Sequence, residues 1–115
     1  MIVLNCPTPV AAGPVKEATD GAHGFTIVSA LNNARKDAFD EADAEVVNEI
    51  GANYRCAPGC FLVPGQPFPV GVYRYPQPPR RAWWTFWIAY WAVATIKVSR
   101  TVSCIPGTAE MAENG

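Results

Sequence analysis

The chain has 115 residues, half of them apolar and 17% charged, which fits one folded domain with a single core and excludes a disordered segment. Its net charge of −1 and low isoelectric point argue against a generally basic, nucleic-acid-coating protein. The charge is nonetheless divided along the chain. Residues 1–50 carry eight acidic and three basic side chains, whereas 51–105 carry Arg55, Arg74, Arg80, Arg81, Lys97 and Arg100 and no acid. That division suits a helix and sheet that attract each other, head-to-tail packing between copies, or an anionic partner on the basic half. Complementarity within or between copies is the first expectation.

Met1–Leu4 lacks the basic and long apolar regions of a signal peptide. No run reaches the roughly 20 apolar residues of a membrane span. The compartment is left open. Ile2–Leu4 reads as a short strand, and the Pro, Gly and Thr of 6–24 read as a loop, so that 1–24 forms a strand followed by an irregular arm. Ser29 to Ile50 reads as a helix, with Ser29 as N-cap and Gly51 as its stop. Ala30, Ala34, Ala38, Ala42, Val46 and Ile50 recur every four residues and form a stripe of mostly small side chains, suited to lying close on a sheet.

Cys60–Val63 and Val70–Tyr75 follow as short strands interrupted by Pro64, Pro67 and Pro69, which marks an edge or bulged position. Tyr75–Arg81 reads as the stiff connection of a hairpin, pairing residues whose numbers sum to about 157. The last element, Trp83–Cys104, reads as one long strand. Ile96, Val98, Val102 and Cys104 alternate with polar residues, Arg100 alone falling out of place, while the first half is apolar on both faces. A helical reading of Ala82–Ile96, with Trp83, Trp87 and Trp91 as a stripe, competes with the strand and loses to it on β-propensity. Residues 106–115 read as a flexible tail, and 1–105 as one α+β domain: one amphipathic helix on a small antiparallel sheet with a long aromatic-rich C-terminal strand.

Cys6, Cys56, Cys60 and Cys104 allow three full pairings; the hairpin register brings Cys56 or Cys60 near Cys104. A bond between Cys56 and Cys60, free thiols and a zinc site are the alternatives, the last disfavoured by the spacing. No metal or other cofactor is expected. His23 reads as a solvated loop residue, the acids from Asp37 to Glu49 as a solvated face, and no catalytic motif is present, so an enzyme is disfavoured. Eleven of 13 aromatics lie between Tyr54 and Trp91, more than one helix of small side chains can cover. The expected function is therefore a structural or interaction subunit that self-associates through an aromatic strand face of Trp83, Trp87, Trp91 and Tyr73. The alternatives are single-stranded nucleic-acid binding by Arg74, Arg80, Arg81 and Lys97 with the tryptophans, and a small-molecule site in an aromatic cavity. A membrane partner is disfavoured.

Overall fold

Ala30, Ala34, Ala38, Ala42, Val46 and Ile50 are the buried stripe of the helix, as their spacing predicts. A computed structural model describes residues 1–107 and places that stripe on a sheet. The elements are β1 (Ile2–Leu4), β2 (Thr8–Gly24), α1 (Ile27–Asn53), β3 (Tyr54–Cys56), β4 (Cys60–Pro64), β5 (Phe68–Arg74), β6 (Arg80–Arg81) and β7 (Tyr90–Pro106). β7 organises the antiparallel sheet: β2 pairs along one side, and β4, β5 and β6 along the other. β1 and β3 form a separate parallel pair. The fold is α+β, one helix on an antiparallel sheet with a long C-terminal strand.

Small side chains let α1 lie close along β2 and β7. At one end Ala30 and Ala34 meet Ala22, Ala92 and Ala94; in the middle Ala38 and Ala42 meet Ala18, Ile96 and Val98. Larger Val46 and Ile50 meet Val102 at the other end. The alternation read over Ile96–Cys104 is observed except at Ser99, which is buried on the face expected to be solvated and donates to the Pro14 carbonyl, and Arg100 on the apolar face is explained. Its guanidinium donates from Nε and Nη2 to the two carboxylate oxygens of Asp43 on α1, at 2.7 and 2.8 Å, and from Nη1 to the Gly65 carbonyl. Both side chains are about four-fifths covered. The acid Asp43 and the base Arg100, drawn from opposite halves of the charge division, thus clamp helix to sheet.

Several boundaries differ from expectation. The supposed loop over 6–24 is mostly β2, a strand of 17 residues. Pro9 and Pro14 are tolerated because β2 pairs only with β7, and its register shifts beside both prolines. α1 begins at Ile27, with Thr26 as N-cap; Ser29 instead completes a reciprocal capping box, each side chain bonding the other's backbone N–H at 3.0 Å. Gly51 lies inside the last turn, and the chain passes from Asn53 directly into β3. β5 carries a register shift between Val70 and Arg74, which agrees with a bulged strand. The hairpin register is offset from that expected, with Arg80 opposite Trp91 and Arg81 opposite Tyr90. The reversal therefore falls at 82–89, and the long strand starts at Tyr90 rather than Trp83. Pro106 belongs to β7, and 108–115, most of the expected tail, lie outside the described residues.

Two disulfides, Cys6–Cys60 and Cys56–Cys104, join the chain near the far ends of β2 and β7. The 17-residue strands each reach roughly 55 Å at about 3.3 Å per residue, so they set the long axis of a molecule measuring 61 × 28 × 19 Å. One end of that axis is stapled by cystines, and the other is the 82–89 reversal.

A core so rich in alanine buries few methylene groups, so the cystines carry weight. Replacing Cys56 and Cys104 together by serine should lower unfolding free energy by about 2–4 kcal/mol in urea titration, with the helical circular-dichroism signal kept. Asp43→Ala, which leaves the mostly covered Arg100 without its carboxylate partner, should cost about 1.5–3 kcal/mol in the same measurement.

Candidate functional site

The reversal Ala82–Ala89 is a short structured loop. Trp83–Thr85 make one 3-10 turn, and Phe86 and Trp87 follow with φ of 56° and 64°. Ile88 N–H returns to the Thr85 carbonyl, so Phe86 and Trp87 hold the two central places of a tight turn with positive φ at both. Hairpins fill such places with Asn-Gly because bulky residues are strained there. The loop is held internally: Ala82 N–H donates to Ala89 O, Thr85 N–H to Ala82 O, and Phe86 N–H to Trp83 O. The Thr85 hydroxyl donates to Ala82 O and accepts from Ala89 N–H. Arg81 donates to the Trp87 carbonyl at 2.7 Å.

The large side chains on this loop point outward. Phe86 is 88% exposed, Trp83 64% and Trp87 58%, with Ile88 likewise exposed. Gly24 pairs with Tyr90, so the start of α1 lies at the same end and adds exposed Phe25, Ile27 and Val28. A cleft of about 280 Å³ between them is lined by His23, Phe25, Ser29, Asn33 and Ala89.

Beside these side chains sits a smaller aromatic stack, in which His23 and Trp84 are still exposed and Trp91 is half-buried. His23 is on β2 rather than in a loop, opposite Trp91, and its Nε2 accepts a 2.7 Å hydrogen bond from Trp84 Nε1. His23, Trp84 and Trp91 contact edge to face, with centroids 4.8–5.8 Å apart. Trp91 packs against Gly21, where a Cβ would sit 2.1 Å from the indole ring, so only glycine admits it.

Of the four residues expected on one strand face, Trp83 and Trp87 are on the exposed loop and Trp91 is half-buried on β7 below them. Tyr73 is elsewhere, on β5, packed against the core alanines. Burial pushes its phenol up, and the Arg35 guanidinium 6.0 Å from the ring opposes that. The basic residues also divide. Arg80 lies over Trp84 at 5.9 Å and Arg81 over Tyr90 at 5.1 Å, both at the aromatic end. Arg74 pairs with Glu17, and it lines a separate shallow cleft with Lys97 in mid-sheet. Trp84, Phe86, Ile88 and Phe25 complete the aromatic end and were missed by strand parity; the signal was an apolar run with no polar alternation and only Thr85 interrupting it.

Among the described residues, no group of three or more His, Cys, Asp or Glu side chains is arranged to hold a metal ion, and no helix is long and apolar enough to cross a membrane. No protein-family model, curated protein or solved structure matches this chain.

His23→Ala should release Trp84. Tryptophan emission should shift to the red, with a stability loss of about 1 kcal/mol; an unchanged spectrum would contradict the hydrogen-bonded stack.

Proposed function

We propose that this chain is a non-enzymatic structural or interaction protein whose working surface is the aromatic end. One observation carries the reading. Phe86 and Trp87 occupy backbone positions that disfavour them, and their side chains gain little burial in return. Strained positions of this kind persist where the side chain serves something other than the fold. The surrounding loop is well hydrogen-bonded, so it presents the aromatics in a defined arrangement rather than as a floppy patch. An exposed apolar cluster of this density marks a contact surface.

Self-association is the second reading, favoured by the charge division: a basic aromatic end of one copy meets the acidic outer face of α1 on the next. The nucleic-acid reading draws less support. Arg74 is engaged by Glu17, and Lys97 stands six residues along β7 from Trp91, roughly 20 Å away.

The test separates folding from function. Phe86→Asn combined with Trp87→Gly supplies the residues the turn prefers, so the variant should be about 1–2 kcal/mol more stable than the parent in urea. Its retention on a phenyl matrix should fall. A variant less stable by more than about 1 kcal/mol would make the two aromatics part of the fold and end this reading.

A further inference from the structure

We infer that the aromatic end docks on the surface of an anionic lipid bilayer, an inference that rests on reading that end as the working surface. Trp83, Phe86, Trp87 and Ile88 enter the interfacial layer, while Arg80 and Arg81 behind them meet lipid phosphates.

Charge is the first argument. The segments that build this end, 21–36 and 75–93, contain Arg35, Lys36, Arg80 and Arg81 and no Asp or Glu. Lys36 pairs with Asp40, but the three arginines form no ion pair among the described residues. They are held by neutral groups: Arg35 by the Tyr75 hydroxyl and Asn32, Arg80 by Trp84, and Arg81 by the Trp87 carbonyl. The nearest acids on these elements stand back from the end. Asp37 is ten residues into α1, roughly 15 Å along the axis, and Asp20 is four residues behind Gly24, roughly 13 Å along β2. Both distances, taken from the ends of the elements, exceed the screening length of about 8–10 Å at physiological salt; Asp37 stands only two residues from Arg35, so the unopposed cations of this end are Arg80 and Arg81. A negatively charged surface therefore meets a cationic collar before it meets the acidic helix.

Chemistry and shape are the second argument. Tryptophan is the residue most suited to the headgroup boundary, with an apolar body and one N–H donor. The loop lies at one end of the 61 Å axis, so it reaches a plane without the sheet or helix obstructing it. A backbone entering an apolar layer must satisfy its own polar groups. Here five of the eight backbone N–H groups of 82–89, those of Ala82, Thr85, Phe86, Ile88 and Ala89, donate within the loop, and Arg81 covers the Trp87 carbonyl.

A symmetric pair joined at this end fits less well, and head-to-tail packing on the acidic face of α1 is separated by the experiment below. Two aromatic ends meeting face to face oppose like-charged arginines, and desolvated like charges are unfavourable at an interface.

The experiment is co-sedimentation of the intact, disulfide-bonded protein with phosphatidylcholine vesicles, with and without phosphatidylglycerol, followed also by tryptophan emission. Binding to the anionic vesicles is expected, with a blue shift and an affinity that falls as salt is raised. Arg80→Gln should weaken it about fivefold, and the Phe86→Asn, Trp87→Gly variant by about tenfold or more. No sedimentation with anionic vesicles at low salt overturns the inference, as does equal binding to both vesicle types. A defined oligomer in lipid-free solution that dissociates in the double variant also overturns it and assigns the end to a second copy. Quenching by an oligonucleotide without vesicle binding assigns it to nucleic acid, again against the inference. If the double variant is stable but the parent ignores vesicles, only the lipid assignment falls. If the double variant is destabilised, the reading beneath it falls too.

Discussion

The close approach of α1 to β2 and β7 is the constraint from which the rest of this structure follows. It depends on alanine at four of the six buried helix positions, facing Ala18, Ala22, Ala92 and Ala94 on the strands. Any larger residue in that layer lifts the helix off the sheet. The layer has little space for indole or phenyl rings, so aromatic residues must lie around it or beyond it. Tyr73 packs at its edge, Trp91 packs against Gly21, and Phe86, Trp83 and Trp87 stand outside altogether.

A thin core has a second consequence, because small side chains contribute little on burial. Two devices at named places supplement it. The Asp43–Arg100 pair fixes the helix to the middle of the sheet, while one cystine ties the start of the chain to β4 and the other ties β3 to the end of β7. Both lie away from the reversal at 82–89. The fold is thereby secured along its length and at one end, leaving the other end free to present strained, exposed aromatics without depending on them. Cystines of this kind persist where the surroundings are oxidising.

The sequence made the helix and the C-terminal half of β7 legible because each carries an unambiguous period. The four-residue stripe named every buried position on α1, and the two-residue alternation from Ile96 to Cys104 named the buried face of the strand, including Arg100 as the exception. β2 was hidden because Pro9, Gly13 and Pro14 imitate a loop, and only its edge position makes them acceptable. The aromatic end was half legible. Trp, Phe and Ile favour strands whether they continue one or turn back, so composition could not locate the reversal at Phe86–Trp87; that depended on the pairing of Arg80 and Arg81 with Trp91 and Tyr90. The tertiary bond from Trp84 to His23 spans 61 positions and left no local trace.

All four tryptophans lie within nine residues, so one optical measurement reads the aromatic end directly: acrylamide quenching and emission maximum of the lipid-free protein at low concentration. The account predicts emission and quenching dominated by the exposed Trp83 and Trp87, with Trp91 and the hydrogen-bonded Trp84 as the less accessible fraction. A blue emission resistant to quencher would place the tryptophans inside the fold and contradict the claim that the small-residue core leaves them at the surface.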